Sequence, residues 1–211
     1  PTRTRATARR MLGLYAERHP HDALTILGDE RWIALPIRAG VVYRMLIDKL
    51  VRYNGELYVM EHKTTSGYNG ISPLYLKSFK PSLQLRGYVR GVQALVSPEY
   101  QKALVDIAWV GRTEPRSGER FLRYEEPVEP WELDEFDAVV NQVATELEAR
   151  ILPDGVRRFG DFTPDFNACT QYGGCPYRTL CTASPGIRER LIEQEYHQKP
   201  SPTQEGTNGG E

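Results

Sequence analysis

The sequence predicts an α/β domain in which a central mixed sheet is flanked by helices, with the core order α-β-β-β-α-β. Three observations carry this. Two β-rich runs, Val41 to Tyr53 and Leu57 to Thr65, flank Asn54-Gly55, the strongest short hairpin signal, because both central residues of a type I′ turn need positive φ. A helical stretch follows, starting at Ser72-Pro73 and running to about Val96. The apolar run Ala103 to Gly111 comes next and is short enough to be a buried strand.

Taken in order, Thr2 to Arg18 reads as a basic helix with Ala6, Met11, Leu14 and Tyr15 at helical spacing. Pro20 and the His-Pro-His cluster end it. Leu24–Leu27 and Trp32–Ile37 are strand-like, with Gly28-Asp29 between them as a turn or bulge. After the hairpin, Gly67, Asn69 and Gly70 form a loop, and Pro81 restarts or kinks the helix that follows. Gly87 and Gly91 give that helix a small-residue strip for close packing on the sheet. Arg120 to Tyr124 is a further edge strand, and Pro130-Trp131 opens an acidic helix reaching about Leu152. A Cys-containing loop occupies Asn167 to Cys181, and Gly186 to Tyr196 is a short helix. From Gln198 to Glu211 the composition of Pro, Ser, Thr, Gln and Gly cannot offset the entropy of ordering, so disorder is expected. There is no internal repeat.

A chain of 211 residues with 40% apolar residues suits one domain with an appendage and buries a core without disulfides. No apolar run approaches the roughly 18 to 20 residues that span a bilayer, and the Arg-rich N-terminus lacks the apolar stretch of a secretory signal. Three cysteines are an odd number for a secreted disulfide framework. The expected setting is cytoplasmic, with no membrane partner.

Lys plus Arg is 27 and Asp plus Glu is 28, for a net charge of −1. The charge is unevenly distributed. Between Glu61 and Glu99 no acid occurs, while Lys63, Lys77, Lys80, Arg86 and Arg90 do. From Glu125 to Glu148 the acids Glu125, Glu126, Glu129, Glu132, Asp134, Glu135, Asp137, Glu146 and Glu148 occur with no Lys or Arg. The basic segment could hold a phosphate backbone; the alternative is a solvated helix face.

The hairpin yields a register. With Asn54-Gly55 as the turn, Tyr53 pairs with Glu56, and continuing the ladder sets Asp48 across from Glu61. Lys63 shares the Glu61 face by alternation. Opposed carboxylates repel, and apolar flanks (Leu46, Ile47; Tyr58, Val59, Met60) raise the cost of both charges. A divalent cation would remove that repulsion, and hard oxygen ligands suit Mg²⁺ or Mn²⁺. Such an ion polarises a phosphoryl oxygen and lowers the pKa of a bound water. Lys63 would orient that water or stabilise developing negative charge. The alternative is a Glu61–Lys63 ion pair on a solvated strand. Gln84 and Tyr88 lie four apart on one helix face, placed to meet phosphate or base, with Arg86 and Arg90 adding charge. The alternative there is a core Tyr88 and a merely exposed Gln84.

Asp48, twelve further residues, Glu61-His62-Lys63 and then Gln84-x-x-x-Tyr88 resemble the PD-(D/E)XK nuclease superfamily, most closely its RecB-type exonucleases and their phage and CRISPR-associated relatives. The resemblance covers roughly Leu24 to Cys181. It implies a restriction-endonuclease-like core and a nuclease-like domain over residues 1–184, with 185–211 as a short helix and tail. It implies a metal-dependent DNA nuclease, an exonuclease, acting in DNA processing, repair, recombination or a phage/CRISPR context. Asp48, Glu61 and the His62 carbonyl would be metal ligands, Lys63 the catalytic lysine, and Gln84 and Tyr88 the helix motif facing DNA. Met45 stands where the family often has Gly. The family's further upstream ligand would be Glu17, His19, Glu30 or a residue before Pro1, the chain being expected to lack an N-terminal part.

Cys169, Cys175 and Cys181 are spaced C-x5-C-x5-C, with Pro176 after the second. The resemblance implies a structural [4Fe–4S] cluster held by these three and a fourth thiolate missing from this chain. Zinc and three plain reduced thiols are the alternatives. Helicase, recombination or CRISPR/phage proteins are the partners the family suggests besides DNA. The competing functional classes are a catalytically inactive nuclease-fold module that binds DNA, and a protein-interaction module that uses the acidic helix around Trp131, Leu133 and Phe136.

Overall fold

The computed structural model describes residues 4–111, 118–149 and 174–196. The chain divides into two compact units, Pro1–Ala149 and Arg150–Glu211. In the first, the elements run α1 (Arg5–Arg18), β1 (Leu24–Gly28), β2 (Arg31–Arg38), β3 (Val41–Ile47), β4 (Lys49–Tyr53), β5 (Glu56–Thr65), α2 (Pro73–Lys77), α3 (Leu83–Leu95), β6 (Lys102–Trp109), β7 (Phe121–Pro127) and α4 (Pro130–Glu148). Five strands form one sheet in the order β1-β4-β5-β6-β7, while β2 and β3 pair separately. β5 and β6 are parallel and the other neighbours antiparallel. A parallel pair needs a crossover, which α2 and α3 supply. With the β2–β3 pair set aside, the order is α1, three sheet strands, α3 and β6. This is the α-β-β-β-α-β core of a restriction-endonuclease-like α/β fold.

The local chemistry explains the elements. Asn54 and Gly55 both take positive φ, 49° and 88°, as the two-residue turn requires. The register then runs from Tyr53↔Glu56 to Lys49↔Met60. There it stops. The expected single run Val41 to Tyr53 is two strands in two sheets, and Asp48 occupies the bend between them. Its carboxylate is therefore not a ladder partner of Glu61. The helical stretch from Ser72 is two helices with the break around Pro81, as expected, capped by the hydroxyls of Ser72 and Ser82 on the N–H groups of Tyr75 and Leu85.

β5 is buried on both faces. Val59 packs with Val105, Leu85, Val89 and Phe136 under α3 and α4. Tyr58 and Met60 pack with Val51 and Leu104 on the reverse side. The glycine strip of α3 contacts different elements from those expected. A β-carbon on Gly87 would lie 3.0 Å from the Phe136 ring and 3.2 Å from Tyr43, and one on Gly91 would meet Met45 and Ile33. The strip thus admits α4 and the β2–β3 pair, not the central sheet.

The two charge blocks meet in space. Arg86 contacts Glu132 at 2.9 Å and Glu135 at 3.0 Å, and Arg90 contacts Asp137. Lys80 bonds Glu126 at 3.0 Å. Glu126 and Glu132 are buried, and buried carboxylates need such partners. Burial opposes the Glu132 charge, but the Glu129 N–H, Arg86 and Lys80 outweigh it and hold this carboxyl below its ordinary range.

In the second unit, α5 (Arg178–Thr182) and α6 (Pro185–Glu195) are described. Leu180 is buried, Tyr177 stacks on Tyr196 at 5.5 Å, and the Tyr196 hydroxyl donates to the Pro176 carbonyl at 2.9 Å. Cys169 and the expected disordered tail at 198–211 lie outside the described residues. No described helix is long and apolar enough to cross a membrane.

Gly87→Val should cost about 1–3 kcal/mol through overpacking against two rings, read as a lower denaturation midpoint. Glu132→Gln keeps the helix cap but removes the charge. A depressed folded pKa contributes stability above the unfolded value of about 4.3 and loses it as pH falls through the folded value. The variant should therefore be less stable than wild type at pH 7 by about 1–3 kcal/mol. That gap should close as pH falls below about 4, in urea melts across the range.

Candidate active site

Strand alternation sends Glu61 and Lys63 to the α3 side of β5. Glu61 is 5% exposed. Its Oε1 accepts from Lys63 Nζ at 2.5 Å and from Gln84 Nε2 at 3.1 Å. Lys63 Nζ also donates to Gln84 Oε1 at 3.0 Å, and Gln84 Nε2 donates to the Tyr88 hydroxyl at 2.8 Å. Sequence-distant Glu61, Lys63, Gln84 and Tyr88 thus form one network.

Asp48 is anchored differently. Its Oδ2 accepts from the His62 backbone N–H at 2.8 Å. Both carboxylates are felt at Tyr88. Burial raises that hydroxyl, the Gln84 bond draws it back, and the charges of Glu61 and Asp48 raise it further, to about 12. Tyr88 therefore keeps its proton at neutral pH. It is 7% exposed and belongs to the core, so its hydroxyl, not its ring face, reaches the network. Gln84 is exposed at the site. Arg86 and Arg90 are engaged by α4 and are not brought to this network.

Glu61 Oε2 is buried and has no hydrogen-bond partner. A buried acceptor left unmade costs about 1–3 kcal/mol, more when charged. Mg²⁺ is commonly held by one or two carboxylates, with water completing the shell. The unpartnered Oε2, with the Asp48 carboxylate held at the backbone N–H of the next residue, His62, fits that donor set. The side-chain set goes no further: among the described residues no three His, Cys, Asp or Glu side chains are grouped to hold a metal. Glu17 and Glu30 are exposed, and His19 packs on Tyr15 with ring centroids 4.6 Å apart. His62 offers this face only its backbone.

The His62 ring turns to the opposite face, where a second polar cluster lies. Asp106, 4% exposed, accepts from the Tyr15 hydroxyl at 2.6 Å and faces His62 Nδ1 at 3.3 Å. Arg123 donates to both Asp22 oxygens and to the Tyr15 hydroxyl. Burial works against the Arg123 charge, but Asp22, Tyr15 and Asp106 raise its pKa. Burial pushes Tyr15 up to about 12, with the Asp106 bond adding to it and Arg123 opposing. Sequence reasoning passed over this cluster. Its one signal was Asp106, a lone carboxylate inside the apolar run Ala103 to Gly111.

Cys175 and Cys181 are free, half-buried thiols of the second unit.

Neither a family model nor a curated protein matches this chain. Among solved structures, the chain is similar to an alkaline exonuclease, LHK-Exo, from Laribacter hongkongensis. That likeness has 18% identity and a TM-score of 0.42, covering 68% of this chain and 66% of that one. It is also similar to a protein designated SSO0001, at 18% identity and a TM-score of 0.31, covering 72% of this chain and 61% of that one. The chain spans less than two thirds of the length of each.

The unpartnered Glu61 oxygen generates a stability prediction. Mn²⁺ at 100 times its dissociation constant should stabilise the protein by about 2.7 kcal/mol, seen as a rise in melting temperature. Asp48→Asn and Glu61→Gln should each remove most of that rise.

Proposed function

We propose that this chain is a divalent-metal-dependent nuclease that hydrolyses phosphodiester bonds in DNA. The observation that supports this most is the buried Glu61 with one oxygen held by Lys63 and Gln84 and the other unpartnered. A solvated Glu61–Lys63 pair would need neither burial nor an orphaned oxygen. The motif resemblance to PD-(D/E)XK nucleases supports the same reading.

In this reading Asp48 and Glu61 hold the cation, with the His62 carbonyl as a further ligand. When bound, the ion supplies Lewis-acid polarisation of the phosphoryl oxygen and a more acidic water. Lys63 does the rest of the work on this face. Its ammonium is fixed between Glu61 and Gln84, so it meets developing negative charge without reorganising. Gln84, exposed at the site rim, has an amide able to meet a phosphate. Tyr88 keeps its proton and fixes Gln84.

Incubation with linear and circular DNA and Mn²⁺ tests the proposal. Wild type should cleave. Lys63→Ala should cleave about 10²–10³ times more slowly while still showing the Mn²⁺-induced rise in melting temperature. No cleavage by wild type, or equal cleavage by Lys63→Ala, would defeat the reading.

A further inference from the structure

We propose that Lys49 and Asp106 are positioning residues that clamp the His62 ring on the far face of β5 and thereby fix the Asp48 carboxylate on the near face. The functional consequence rests on the reading of Asp48 as a working carboxylate.

The geometry starts from the end of the β4–β5 ladder. Its last pair is Lys49↔Met60, so Asp48 is held by no strand pairing with β5. Its carboxylate is held by the His62 N–H at 2.8 Å. The next residue, Lys49, sends its side chain to the other side, where Nζ lies 2.9 Å from His62 Nε2. The dipeptide Asp48-Lys49 therefore straddles His62, one side chain on its backbone and the other on its ring.

The ring itself is oriented. An ammonium only donates, so Nε2 is the acceptor and Nδ1 carries the proton. Nδ1 lies 3.3 Å from Asp106 Oδ2. Asp106 is in turn held from α1 by the Tyr15 hydroxyl, and Arg123 Nε lies 3.7 Å from its other oxygen. Arg123 is fixed by Asp22, just before β1. The far-face cluster thus brings α1, β5, β6 and β7 together around Asp106. An apolar residue at position 106 would fill a strand more cheaply than a buried charge. Orienting His62 accounts for the carboxylate.

Amide hydrogen exchange, measured by nitrogen-15 NMR on the metal-free and DNA-free protein, tests the clamp. In Lys49→Met, His62→Ala and Asp106→Leu, the protection factor of the residue 62 amide should fall about tenfold, the effect of losing one charge-assisted bond. The amides of Leu104 and Val105 should keep theirs. Lys49→Arg and Asp106→Asn, which retain a donor and an acceptor, should restore protection at residue 62. If Asp106→Leu does not fold, Lys49→Met and His62→Ala decide. Unchanged protection at residue 62, or an equal fall at Leu104 and Val105, overturns the clamp. The readout needs no cleavage, so an inactive protein would sink the proposed function and leave the clamp standing. Active protein with unaltered protection would do the reverse.

Discussion

Strand β5 is buried on both faces and lies between an antiparallel neighbour, β4, and a parallel one, β6. A residue here must point either to the α3 side or to the α1 side, and the next residue must take the other. Glu61, His62 and Lys63 are consecutive, so one tripeptide serves two environments. Glu61 and Lys63 meet α3 through Gln84. His62 meets α1 through Asp106 and Tyr15. A one-residue slip of β5 would exchange these faces and bury Lys63 against Tyr15 and Arg123. The hairpin turn at Asn54-Gly55 guards against that slip, because it sets the register from Tyr53↔Glu56 onward.

The electrostatics follow from packing more than from composition. Along the chain, a basic block and an acidic block look like two separate surfaces. In space Lys80, Arg86 and Arg90 are matched to Glu126, Glu132 and Asp137. The near-zero net charge is thus partly a local cancellation at the α3–α4 junction. Glu132 is caught between a helix cap and two cations, and its burial is tolerable only with all three. The positive charge that faces Glu61 is that of Lys63, not of the two arginines.

The sequence carried the order of elements and the carboxylate motif because both are written in short-range signals. The turn dipeptide, the alternation of β5 and the caps at Ser72 and Ser82 all act within a few residues. The split of Val41–Tyr53 was hidden because both halves are equally β-prone. Only the tertiary demand that β2 and β3 cover α3 bends the chain at Asp48. Arg86 and Arg90, expected to add charge beside Gln84 and Tyr88, are paired with α4 acids instead, because no local rule tells an arginine which helix it will meet. Met45, set where the resemblance leads one to expect Gly, packs on Gly91, whose missing side chain leaves room for it.

Glu61 itself is an uneconomical residue for stability. A leucine would fit a β5 interior position beside Val59, and a glutamine would keep the bonds to Lys63 and Gln84 with less charge to bury. The carboxylate instead has Oε1 saturated by two donors while Oε2 is buried and unmatched. Two donors on one oxygen fix the torsion of the carboxyl group, so the free oxygen points in one direction and not over a range. That orientation, achieved before any ligand arrives, is what electrostatic preorganisation requires. The strain is confined to one atom because Gln84 is itself fixed by Tyr88, a core tyrosine that keeps its proton. The path from the packed core to the unmatched oxygen therefore runs through three residues, Tyr88, Gln84 and Glu61, and every link is a hydrogen bond between side chains.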